Sequence, residues 1–110
     1  MAKSIKSAKL STNSLVATAS ASSKPASINF TFSSGIGQAT ASLFRNGVLI
    51  NMQSISSSGA IGFSDVQSGD VTAINGICTG QAVISVSVPT TPATPKKFKA
   101  GLIIGAFLIN

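Results

Sequence analysis

The sequence contains no histidine, no tyrosine and no tryptophan, and its only acidic residues are Asp65 and Asp70. Each absence removes a class of chemistry. Acid–base catalysis near neutral pH needs a group that titrates there, and histidine is the side chain that ordinarily does. A pair of carboxylates can serve a glycosidase, but Asp65 and Asp70 flank one short turn, Gln67-Ser68-Gly69, among small residues. Serine is abundant, yet it has no histidine or buried lysine to activate it. The pool of possible metal ligands is Cys78, Asp65 and Asp70, too small for the full ligand set of zinc and poor in carboxylate for calcium. Gly35-Ile36-Gly37 lacks the third spaced glycine and the following helical pattern of a phosphate cradle. A sugar platform usually stacks Trp or Tyr, and stacking of nucleic-acid bases is left to phenylalanines that sit mostly on core-like positions. No catalytic residue, metal, cofactor or small-molecule substrate is expected.

Cysteine is also scarce. With Cys78 alone, an intramolecular disulfide is impossible, so a disulfide-stapled secreted scaffold is excluded. Lying between Ile77 and Thr79, Cys78 reads as a small buried hydrophobe. No run of apolar residues is long enough to span a bilayer as a helix. The opening Met1-Ala2-Lys3-Ser4-Ile5-Lys6 carries charge without the apolar stretch of a secretory signal, so the expectation is a product made in the cytoplasm.

What the sequence does have is Ser, Thr, Val, Ile and Gly, residues of strands and turns, with no glutamate to favour helix. Its 110 residues suffice for one domain. Only 9% are charged, but the net charge is +6 and its placement is uneven. Lys3, Lys6, Lys9 and Lys24 lie near one end, and Lys96, Lys97 and Lys99 near the other; between them stand only Arg45 and the two aspartates. Basic ends suit phosphate, anionic lipid or an acidic neighbour, or simply keep the chain soluble.

Strand signals are clear from residue 27 onward. Ile28, Phe30 and Phe32 alternate with Ser27, Asn29 and Thr31, the pattern of a half-buried strand. Asn46-Gly47 is the favoured two-residue hairpin turn, since both residues tolerate positive φ. Closing that hairpin pairs Arg45 with Val48, Leu43 with Ile50 and Ala41 with Met52. This puts Ala41, Leu43, Ile50 and Met52 on one apolar face. Phe44 and Leu49 then fall on the opposite face beside Ser42 and Asn51, the sign of a cover or a contact surface. Further strands are expected over Ile61–Phe63, over Val71–Ile74 with a turn at Asn75-Gly76, and over Ala82–Val88, stopped by Pro89. Turns about every ten residues predict a sandwich or barrel.

Three prolines make 89–95 a stiff linker. After it, Lys96-Lys97-Phe98-Lys99 leads into Ala100 to Ile109, a run so apolar that it must find a surface. It reads as the last strand of the chain's own sheet, as an arm added to a neighbouring subunit, or as a short lipid-inserting anchor.

The stretch Gly59-Ala60-Ile61-Gly62-Phe63-Ser64-Asp65-Val66-Gln67-Ser68-Gly69-Asp70-Val71 resembles a pattern of Ig-like and prealbumin-like sandwich modules. In these a strand with a Phe leads to Asp, an aliphatic residue, a Gly turn and another strand. The likeness covers residues 27 to 88 and departs where an aromatic commonly follows the turn; here stands Val71. It implies an all-β, Ig-like or jelly-roll-like antiparallel β-sandwich with extended N- and C-terminal arms. The expected organisation is a basic arm or edge strand at 1–26, a sandwich at 27–88, the linker at 89–95 and a basic-apolar arm or last strand at 96–110. Such modules serve in phage virions and on bacterial surfaces. The expectation is a non-catalytic virion structural protein, with a cell-surface adhesion or ligand-binding module as the alternative. A homo-oligomer is expected. Lys3, Lys6, Lys9, Lys96, Lys97 and Lys99 would bind electrostatically, to other subunits, nucleic acid or lipid. Leu102, Ile103, Ile104, Phe107 and Leu108 would supply the apolar contact.

Overall fold

The structure is a computed structural model and describes residues 23–110. Among them are nine strands and no helix: β1 (Lys24–Phe32), β2 (Gly37–Arg45), β3 (Val48–Ile55), β4 (Gly59–Val66), β5 (Val71–Cys78), β6 (Ala82–Val86), β7 (Thr90–Thr91), β8 (Lys96–Phe98) and β9 (Gly101–Ile109). They form two antiparallel sheets. One has four strands in the order β4-β1-β6-β8, the other five in the order β3-β2-β5-β9-β7.

The core lies between the sheets and follows the period of two in the sequence. The four-stranded sheet contributes Ala26, Ile28, Phe30 and Phe32 of β1, Ile61, Phe63 and Val66 of β4, and Ala82, Ile84 and Val86 of β6. The five-stranded sheet contributes Ala39, Ala41 and Leu43 of β2, Ile74 and Cys78 of β5, and Ile103, Phe107 and Ile109 of β9. Bulk is matched across the gap where Phe32 of β1 meets Gly37 of β2. A Cβ on Gly37 would overlap the Phe32 ring, so this glycine is the floor on which the ring lies.

Several expectations need correction. β1 begins at Lys24, three residues before the expected boundary at 27. The Asn46-Gly47 turn is present, with φ of 53° and 78°, and Arg45 pairs with Val48. Beyond Phe44 and Leu49, however, a bulge shifts the register, so Leu43 faces Asn51 and Ser42 faces Met52. Ile50 is the extra residue. Ala41 and Leu43 are buried as expected, but Ile50 and Met52 are exposed, because one added residue reverses the facing of every residue after it in the strand.

Asn75-Gly76 is not a turn either. β5 runs through it, pairing Gly76 with Ala39 on one side and Ile103 on the other. A Cβ on Gly76 would overlap the Gln38 carbonyl oxygen, so this glycine serves a close approach of two backbones.

The expected linker at 89–95 contains β7, whose Thr90 and Thr91 pair with Ile109 and Leu108. It is also tied to β6, since the Val86 N–H donates to Thr94 Oγ1 at 3.0 Å. The apolar C-terminus is the chain's own strand β9, in register with β5 from Gly101↔Cys78 to Leu108↔Val71. Of the alternatives, the first is the one realised.

Candidate assembly surface

The residues expected to bind a partner divide by location. Ile103 and Phe107 point inward and are 0% exposed, so they hold the core and are not available to a partner. The physical reason is the strand period: once β9 lies in the sheet, alternate residues take opposite faces. Leu102, Ile104 and Leu108 point outward and are 70%, 65% and 42% exposed. Lys96, Lys97 and Lys99 are exposed in or beside β8, on the other sheet. The Lys96 ammonium sits 5.6 Å from the centroid of Phe98. Lys3, Lys6 and Lys9 lie outside the described residues.

The strand registers place these outward side chains in rows. Gln38, Ile77 and Leu102 form one row across β2, β5 and β9. Next come Ser54, Thr40, Asn75 and Ile104, then Met52, Ser42, Ala73 and Ala106, and last Leu49, Phe44, Val71 and Leu108. None of these side chains is charged. Thr40 and Ser54 satisfy each other across two strands, their hydroxyl oxygens 2.8 Å apart. At the end bearing Ile77 and Leu102 the face opens into an apolar cleft of about 550 Å³, lined in part by Ile36, Gln38 and Thr79. Taken as a flat rectangle of four strands by eight residues, the face covers roughly 500 Å². The face is uncharged throughout and mixes polar Gln38, Thr40, Ser42, Ser54 and Asn75 with large exposed aliphatic side chains, and such exposed aliphatic residues gathered on one face mark a contact surface.

Sequence reading identifies the β9 part of this face, together with Phe44 and Leu49 as side chains in want of a cover. It misses Met52, Val71 and Ile77. Met52 is hidden by the bulge, and Ile77 by the false turn at Asn75-Gly76.

The ends of this sheet are fixed by an ion pair that sequence reading does not foresee. The Arg45 guanidinium donates to Asp70 through Nε and Nη2, each at 2.9 Å, and Nη2 also donates to the Asp65 carbonyl oxygen at 3.2 Å. The Gln67 N–H donates to Asp70 Oδ2 at 2.8 Å. Asp70 is 1% exposed. Burial pushes its carboxyl up, but the Arg45 hydrogen bonds, the Gln67 amide and the Arg45 charge together hold it below the ordinary aspartate value. The β4–β5 turn is thereby tied to the end of β2. No three His, Cys, Asp or Glu side chains converge among the described residues. Cys78 is buried, its thiol directed at the Lys99 carbonyl oxygen at 3.5 Å.

No family model, no curated protein and no solved structure matches this chain.

Proposed function

We propose that the chain is a non-catalytic structural subunit of a virion, of Ig-like type, that assembles by repetition through the outer face of its five-stranded sheet. The observation that carries this reading is that face: four rows of outward side chains without a charge, with Leu102, Ile104, Leu108, Leu49, Met52 and Ile77 exposed on it. Burying each large aliphatic side chain is worth about 1.5–3 kcal/mol, a gain left unused while the chain is alone. Two such faces in contact bury about 1,000 Å² in total, the lower bound of a specific interface.

Support for the Ig-like type comes from connectivity. β1 pairs with β4, β2 with β5 and β5 with β9, so the chain crosses from sheet to sheet at every connection but the β2–β3 hairpin. The departure is the insertion of β6 and β8 between β5 and β9, where β6 pairs with β1 and β8 with β6 in the other sheet. Support for the absence of catalysis comes from the side-chain inventory and from the commitment of Asp70 to Arg45. Lys96, Lys97 and Lys99 stand off the apolar face, where they suit a phosphate-bearing surface such as packaged nucleic acid.

Multi-angle light scattering of the purified chain tests this reading. The expected result is an oligomer whose mass falls when Ile104→Lys places a charge in the third row from the turn, with the β-sheet circular dichroism retained. A wild-type chain that stays monomeric at its solubility limit defeats the reading.

A further inference from the structure

The two lateral sides of the molecule end in different strands. On one side the edges are β7 and β8, of two and three residues. Pro89, Pro92 and Pro95 bracket them, and Lys96 and Lys97 stand on β8. Short length, proline and lysine are the usual means of stopping a sheet edge from pairing with another chain. On the other side the edges are β3 and β4, each of eight residues. From Asn46 to Ser64 there is neither a charge nor a proline. β4 is partly shielded, because the Gln53 side chain of β3 donates to the Gly62 carbonyl oxygen at 2.7 Å. β3 has no such cover among the described residues, and its Val48 and Met52 are 62% and 59% exposed.

We infer that the free edge of β3 pairs, antiparallel, with β3 of a second copy about a two-fold axis. This rests on the reading of the chain as an assembling subunit and names a second contact that reading does not contain. The alternation set by the two-residue turn at Asn46-Gly47 directs the peptide groups of Leu49, Met52 and Ser54 to the free edge. An axis at Gln53 sets Met52 of one copy opposite Ser54 of the other, so that each pair exchanges two backbone hydrogen bonds.

Charge selects a second copy as the occupant. The molecule carries a net +6, so two copies repel wherever lysines approach. Their uncharged β3 sides meet without burying a charge, and a strongly charged strand gains nothing there. An antiparallel edge is self-complementary about a two-fold, the condition for an isologous contact. Pairing also joins two five-stranded sheets into one, bringing their uncharged outer faces side by side into a continuous surface of roughly 1,000 Å² by the same rectangle estimate.

Two measurements on the full chain test this. In residue-resolved hydrogen exchange on the oligomer, the amides of Met52 and Ser54 are expected to be slow, and that of Leu49, which the axis leaves opposite no strand, to stay fast. In light scattering, Ile50→Lys places a lysine on the edge and leaves the rows of the outer face intact. With both an edge contact and a face contact, wild type is larger than a dimer. Ile50→Lys and Ile104→Lys each leave a dimer, and the double variant is a monomer. Fast exchange at the Met52 and Ser54 amides in the oligomer, or an unchanged mass for a folded Ile50→Lys chain, overturns the edge contact. If Ile104→Lys alone lowers the mass, the face contact stands and only the edge falls. A monomeric wild type removes both.

Discussion

On the outer face of the four-stranded sheet, Ser27, Asn29 and Thr31 of β1 lie beside Ala60 and Gly62 of β4 and Val83 and Ser85 of β6, with Lys97 beyond. On the outer face of the five-stranded sheet, the corresponding positions hold Phe44, Val71, Ile77, Leu102, Ile104 and Leu108. Both sheets alternate with the same period, and both bury their other side against one core. Folding therefore demands the inner pattern only, and β1 shows that small polar residues suffice outside. The aliphatic residues outside β5 and β9 leave much of their surface unburied in the lone chain, Leu102 and Ile104 about two thirds of it, so their presence points to a contact beyond it.

The sharpest way to test that division is at adjacent residues of β9. Phe107 is 0% exposed and Leu108 is 42% exposed. Phe107→Ala is expected to cost about 3–5 kcal/mol of folding stability, the usual range for a large aromatic removed from a packed core. Leu108→Ala is expected to leave the denaturation midpoint nearly unchanged while reducing assembled mass. Urea denaturation and light scattering on the two variants should give opposite patterns. Equal losses of stability would erase the distinction between the faces.

The Arg45–Asp70 pair tests whether the outer face depends on its anchored end. Arg45→Met leaves a nearly fully buried carboxylate with the Gln67 amide as its main partner, at a cost of about 3 kcal/mol. The pH dependence has a definite sign. Because the folded Asp70 carboxyl lies below its ordinary value, its stabilising effect is complete above the unfolded value, about 3.9, and is lost as pH falls through the folded value. Thermal melts from neutral pH into acid should show that loss in wild type and a flatter limb in Arg45→Met.

Lysine substitutions compare the two faces directly. Ile104→Lys is expected to reduce assembly, and Ser85→Lys, at the middle of the four-stranded sheet, to leave it unchanged. The folding stabilities of both variants are expected to stay within about 0.5 kcal/mol of wild type, as for surface positions generally. A reversal in light scattering would move the contact to the other sheet.

How much of this is legible in the sequence depends on whether a single strand carries the signal. β1, β4 and β6 are readable because Ile28-Phe30-Phe32, Ile61-Phe63 and Ala82-Ile84-Val86 alternate without interruption. The register of β2 with β3 is not, because the bulge at Ile50 is a tertiary choice that the Asn46-Gly47 turn does not announce. Asn75-Gly76 matches a turn signal although Gly76 serves a close backbone approach in the middle of a sheet. The apolar C-terminus looks like one sticky segment and is two surfaces, since its period of two hides behind residues apolar on both sides. The Arg45–Asp70 contact spans 25 positions and leaves no local trace.

β5 supplies the smallest and most diagnostic expectation. At its start this strand inverts the usual order: Val71 faces outward, while Thr72 faces inward between Leu43 and Phe107 at 1% exposure. The Thr72 hydroxyl has no hydrogen-bond partner. A buried unpaired hydroxyl carries a desolvation cost without recompense, so Thr72→Val, which replaces it by a methyl group of similar shape, is expected to stabilise the chain by about 1 kcal/mol. Val71→Thr, one residue away on the outer face, is expected to change stability little and to weaken assembly. If Thr72→Val destabilises instead, the hydroxyl has a partner in solution, and the inner face of β5 is wetter than the alternation of these strands allows.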